Sequence, residues 1–407
     1  MIPENRTSVP SVYERTPFRD ATQPGIRHPS LMPVHLVIAS ILFCFAAHAA
    51  EWKLALPGWE YQFPADHGNH PGFKTEWWYF TGNLRSSDGR EYGYQLTFFR
   101  QGIHPEKPDS ASRFVVRDIQ FAHFALTSVA DEKFRFYQEI TRGAYGEAGF
   151  GDGPRLAWIG DWTCELVGRH AFRLRASGKE AAIDLLLESE KPPVFHGSDG
   201  ISQKSEGKGR ASHYYSLTRL KTSGTIRVGE NSTPLSVEGL SWFDHEWATN
   251  QLDAHQTGWD WFSLQFDDGS ELMLFQIRTK DGGRDPYSGG TFIAADGSTV
   301  TVKNPDFDLR PVGYWKSAAT GARYPTRWEI QIPSIDLALK VHAAVSNQEL
   351  VLAPISYWEG TIRASGTRAG KRVSGSGYLE MTGYGSPIVG MQAAAPPDPA
   401  APEPPIK

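Results

Sequence analysis

A chain of 407 residues is too long for one ordinary core and implies two domains. A formal charge of −5 and a pI near 6.2 leave no basic surplus, which argues against nucleic acid as a partner. With 13 Trp, 15 Tyr and 22 Phe, the chain carries more aromatic surface than packing alone needs, as a pocket for a flat or extended apolar ligand would require.

Residues 1–31 are polar and show no apolar periodicity. Leu36 to Ala47 is an apolar run ending at Ala47-His48-Ala49, the small-x-small pattern of a secretory signal peptide. Residues 1–49 therefore read as an N-terminal extension and signal peptide, and the protein as periplasmic or secreted. An uncleaved anchor, or a true start at Met32, is the alternative. Export past Cys44 leaves Cys164 alone, so no intramolecular disulfide forms, and Cys164 reads as a small buried hydrophobe.

The mature chain opens on a polar, histidine-bearing turn, Phe63-Pro64-Ala65-Asp66-His67-Gly68-Asn69-His70-Pro71. The aromatic strand Glu76-Trp77-Trp78-Tyr79-Phe80-Thr81 follows, turns at Asp88-Gly89, and returns through Tyr94 to Arg100. Phe172, Leu174 and Ala176 alternate with Arg173 and Arg175, and Ala181, Ile183, Leu185 and Leu187 alternate on the way back, an amphipathic hairpin. Lys221-Thr222-Ser223-Gly224 and Gly229-Glu230-Asn231-Ser232 are turn-rich and mark a boundary within 221–235.

Beyond them, Asp244-His245-Glu246-Trp247 precedes a second aromatic strand, Trp259-Asp260-Trp261-Phe262-Ser263. It turns at Asp268-Gly269 and returns through Leu274 to Arg278. Order, turn and terminal Arg match the first copy, with its own acid–histidine cluster Asp66 to His70, so the chain reads as a duplicated scaffold. Ile335, Leu337, Leu339 and Val341 repeat the two-residue period, and after 391 the chain turns Ala/Pro-rich. The reading is all-β: two tandem antiparallel barrels over 50–225 and 226–391, then a disordered tail over 392–407.

These segments resemble a known family. Phe63 to Gly68, Glu76 to Tyr79, Gly93 to Arg100, Ser212-His213-Tyr214-Tyr215-Ser216, Trp242 to Trp247, Gly258 to Phe262 and Gly377 to Tyr384 are similar to the AttH-like, lipocalin-like group, to which carotenoid 1,2-hydratases are related. The resemblance implies two lipocalin-like barrels, a hydrophobic small molecule such as an isoprenoid or lipid, no cofactor, and hydro-lyase chemistry. The alternative is a non-catalytic lipid carrier serving a lipoprotein-type ABC transporter, and a glycan-binding module is a third. The group's "hydrolase" label has no support in the residues, because no Gly-x-Ser-x-Gly elbow occurs in the mature chain.

Hydration of an unactivated alkene needs a carboxylic acid kept protonated by apolar surroundings, and aromatic faces to stabilise the cation. Asp260 is the candidate acid, on the strand face of Phe262 and Leu264, with Glu76 its counterpart in the first copy. His245 is the candidate base and Glu246 its neighbour on the opposite face. Trp77, Trp78, Tyr79, Trp247, Trp259, Trp261, Tyr214 and Tyr215 are the candidate binding wall, with barrel packing as the alternative for the tyrosines. In the hydratases the resemblance implies an acid on the strand that here reads Leu272-Met273-Leu274-Phe275-Gln276-Ile277, which holds no carboxylate. His67 and His70 have ligand-like spacing, but no third histidine is fixed by sequence, so no metal site is expected. His123 reads as a core histidine.

Overall fold

The computed structural model describes residues 51–385 apart from 111, 113 and 354, so the expected signal peptide and the Ala/Pro-rich tail lie outside the described residues. Two curled, wholly antiparallel sheets follow one another, of 13 and 10 strands, as the alternating patterns and turn dipeptides require. Gly89 and Gly269 sit at φ of +85° and +79°, the left-handed turns that close the two leading hairpins.

In the first sheet Thr75–Ser86 is flanked by Glu91–Gly102 on one side and Leu235–Ala248 on the other. In the second, Gln256–Phe266 is flanked in the same way by Glu271–Thr279 and Lys371–Met381. The strand order continues alike on both sides, so the repeat seen in the leading hairpins extends through the architecture. One face of each leading strand fills a barrel. Phe80 stacks on Phe243 at 4.3 Å in the first, and Phe262 meets Trp328 edge-on at 5.4 Å in the second.

The changeover between sheets falls after Ala248 and before Gln256, not at 225. The turn-rich stretch 229–234 is the tip of a hairpin joining Ala211–Val228 to Leu235–Ala248, so its Gly, Asn and Ser reverse the chain within one barrel instead of linking two. Asp244 to Trp247 therefore belongs to the first barrel. It lies beside the first aromatic strand, with Trp78 opposite His245 and Tyr79 opposite Asp244. The two histidine clusters are neighbours in one copy, not equivalents in two.

The outward faces of the leading strands meet each other. Tyr79, Tyr214 and Trp242 from the first barrel pack with Trp261, Met273 and Tyr378 from the second in a separate apolar cluster. Packing there is close: a Cβ on Gly93 would come within 2.8 Å of Thr361. Glu271 of the second barrel, fully buried, holds Lys191 Nζ at 2.7 Å and Arg219 Nε at 2.5 Å from the first.

Candidate functional site

Where the two barrels face each other they leave a cavity of about 430 Å³, inside the usual range for small-molecule sites. Strand alternation decides which residues reach it. Trp77 and Tyr79 project from the first barrel and Trp259 and Trp261 from the second, while Trp78, Phe80 and Phe262 turn inward. Phe99, Phe121, Phe275, Ile277 and Tyr357 complete a largely apolar wall.

Three acids with a part in this wall stand out. Asp244 and Glu246 come from Leu235–Ala248 and Glu380 from Lys371–Met381. Asp244 lies opposite Tyr79, and Glu380 lies opposite Trp261, at the matching place in the second sheet. The duplication thus delivers one carboxyl from each barrel to the shared cavity, at equivalent register.

Their surroundings tune them differently. Burial pushes the Asp244 carboxyl up to about 7, against hydrogen bonds donated by Ser216 Oγ, Tyr214 Oη at 2.7 Å and Trp242 Nε1 at 2.6 Å. Burial pushes Glu380 further, to about 8. One N–H, Trp259 Nε1 at 2.8 Å, opposes the shift, and the charges of Asp244 and Glu246 add to it. Glu380 is enclosed by protein yet touches the cavity, which explains its partial exposure. Glu246 is instead paired with Lys204 Nζ at 3.1 Å, and that ammonium also sits over the Tyr214 and Phe275 rings. Opposite Glu380 on the next strand, Glu359 is fully buried and accepts from Tyr79 Oη at 2.9 Å. Burial, then the neighbouring Glu380, hold it well above the usual carboxylate range. His123 also lines the cavity, bonded to Tyr357 Oη at 2.6 Å, and burial lowers it to about 3 so that it stays neutral.

The sequence candidates divide between this cavity and the barrel interiors. Glu246, Trp77, Tyr79, Tyr214, Trp259 and Trp261 border the cavity, Trp78, Trp247 and Tyr215 are packed inside the first barrel, and Glu76, at the cavity's edge, turns its fully buried carboxylate inward to His70 and His245. Asp260 is not at the cavity. It is fully buried at the end of the second barrel, ion-paired with Arg278 at 2.5 Å and bonded by Gln276 Nε2 at 2.7 Å and Tyr384 Oη at 3.0 Å. A carboxylate locked to a guanidinium is a poor proton donor. The pairing repeats in the first barrel, where Arg100 holds Glu76 at 3.1 Å, so the terminal Arg of each copy fastens a buried acid. His245 also faces inward, 3.0 Å from Glu76 Oε1, and does not line the cavity. His70 joins the same oxygen from the entry turn, forming a His–Glu–His group sealed inside the first barrel.

The acid of the second copy, Glu380, was missed, although a signal exists. Tyr378-Leu379-Glu380-Met381 repeats the aromatic–apolar–acid order of Trp242-Phe243-Asp244-His245. The strand Glu271–Thr279, which lacks the expected acid, presents Phe275 and Ile277 to the cavity.

The AttH-like family model matches residues 54–384. The chain belongs to that family. A solved structure described as an AttH of Nitrosomonas europaea is 32% identical, with a TM-score of 0.73 over 82% of this chain and 99% of that one. Kievitone hydratase of Nectria haematococca shares the fold, with a TM-score of 0.62 and 16% identity over 80% of this chain and 93% of its own. Among curated proteins, the dehydratase AsqC of Emericella nidulans is 24% identical over 275 residues, 63% of this chain and 75% of the relative. AttH-like chains thus share their architecture with proteins named for adding or removing water.

Proposed function

We propose that this AttH-like protein is a hydro-lyase that adds water to, or removes it from, an apolar chain or ring substrate held between its two barrels. The observation that carries this reading is the pair of cavity carboxyls, Asp244 and Glu380, tuned to different acidities among aromatic faces. Glu380, the weaker acid, gives its proton to an alkene carbon. The cation left on the adjacent carbon faces Trp77, Trp259 and Trp261. A water oxygen bonds to that carbon and loses its proton to the Asp244 carboxylate, with Tyr214 holding the carboxylate in place. Proton return from Asp244 to Glu380 through solvent closes the cycle, one water having been added. Dehydration is the same path reversed. An export signal over 1–49 would place this chemistry in the periplasm or outside the cell.

The active form carries Asp244 ionised and Glu380 protonated. The rate should therefore rise as pH climbs through about 7 and fall as it passes about 8, the two limbs belonging to the coupled pair. Trp259→Phe removes the N–H that favours ionised Glu380, so the alkaline limb should move to higher pH, measurable as a pH–rate profile.

Incubation of the protein in ¹⁸O-labelled water with a panel of apolar alkenes and tertiary or β-hydroxy compounds tests the assignment. Enzyme-dependent ¹⁸O incorporation, detected by mass spectrometry, is expected. Ligands that bind and co-purify but never exchange oxygen would overturn it in favour of a carrier, with a lipoprotein-type transporter as the partner.

A further inference from the structure

The proposed chemistry leaves unused the group sealed inside the first barrel. His70 Nδ1, Glu76 Oε1 and His245 Nε2 lie within 4.8 Å of one another, and all three residues are buried. Both imidazole nitrogens point at the same carboxylate oxygen, at 2.7 Å and 3.0 Å.

The surrounding hydrogen bonds fix where the protons are. His67 Nε2 faces the Arg169 carbonyl at 3.0 Å and so carries a hydrogen. Burial keeps His67 neutral, its Nδ1 is a bare lone pair, and Tyr215 Oη at 2.6 Å must donate to it. Tyr215 then has no hydrogen left for the Asp66 carbonyl, whose donor becomes His245 Nδ1–H at 3.0 Å. A neutral His245 therefore turns a bare Nε2 toward Glu76. His70 lies between two carboxylates, Asp66 Oδ1 at 3.1 Å from Nε2 and Glu76 Oε1 at 2.7 Å from Nδ1, so with a hydrogen on Nε2 its Nδ1 is placed to take a cation in place of the proton it would otherwise share with Glu76. Two imidazole nitrogens and a carboxylate oxygen converge on one point, a donor set that a bound cation would satisfy.

We propose that His70, Glu76 and His245 form a binding site for a divalent transition metal of the zinc type. Two imidazoles and a carboxylate, without thiolate, are a donor set zinc accepts. The far atom of each ligand is also held: His70 by the Asp66 carboxylate, His245 by the Asp66 carbonyl, and Glu76 Oε2 by Arg100 at 3.1 Å. Such outer partners orient the ligands of metal sites. Trp247 lies flat on the His70 ring at 3.7 Å and 3°, covering that face. The metal would fasten the entry turn to Thr75–Ser86 and Leu235–Ala248. The competing arrangement places a second proton on each imidazole instead.

Elemental analysis of untagged protein, purified without chelator from zinc-supplemented medium, separates the two. About one zinc per chain is expected, and chelated protein refilled with Co²⁺ should show visible d–d absorption. His245→Ala and the isosteric Glu76→Gln should lose the metal, and Asp66→Asn should weaken it by about 10–100-fold. Glu380→Gln should retain it fully, so this result stands apart from the hydro-lyase reading. Wild-type protein with no stoichiometric metal, no Co²⁺ band and no rise in melting temperature on adding Zn²⁺ overturns the site. So does metal retained by His245→Ala.

Discussion

Replacing Glu380 by Gln should lower turnover by about 10²–10⁴-fold while ligand binding persists, because the substitution keeps the shape and the Trp259 contact but removes the transferable proton. Its stability should also move in a defined direction. Folding raises Asp244 from 3.8 to about 7 and Glu380 from 4.5 to about 8. A raised carboxyl favours the folded state fully below its unfolded value, and the benefit is lost as pH rises through the folded value. Wild-type protein should therefore lose stability between pH 5 and 8, and Glu380→Gln should gain on it across that window, as read by denaturant melts. Equal pH dependence of the two proteins would mean that Glu380 is already ionised.

A second large effect is expected at the contact between barrels. Glu271→Ala should destabilise the protein by about 3 kcal/mol, since it leaves the largely buried Lys191 and Arg219 beside each other without their carboxylate. Burial raises the Glu271 carboxyl in spite of both cations, which marks the network as one that is costly to desolvate. The combined change Lys191→Met, Arg219→Leu, Glu271→Leu should accordingly recover much of the loss in urea unfolding. A single variant as stable as wild type would show that the three charges do not hold the barrels together.

Alternation and turns made the architecture legible: Asp88-Gly89, Asp268-Gly269 and the aromatic strands between them locate the equivalent hairpins of the two sheets. The same alternation sends Trp77 and Tyr79 to the cavity and Trp78 into the barrel, so the wall expected from all three divides between two faces. What local pattern could not supply was pairing. The Gly229 to Ser232 cluster looks the same whether it links domains or tips a hairpin, so the boundary was set too early. Asp260 looked suited to proton donation because its own strand is apolar, but the group that decides its chemistry, Arg278, arrives from the neighbouring strand. Glu380 was hidden for the converse reason. It becomes a site residue only when Lys371–Met381 pairs with Gln256–Phe266, more than a hundred residues earlier in the chain.

The central claim is that the cavity holds a carboxylic acid at neutral pH, and infrared titration of the carboxyl C=O stretch reads this without a substrate. A protonated-carboxyl band present at pH 7 is predicted, weakening as pH rises through about 8, and reduced at pH 7 in Glu380→Gln. A spectrum of Glu380→Gln identical to wild type at pH 7 would contradict the account.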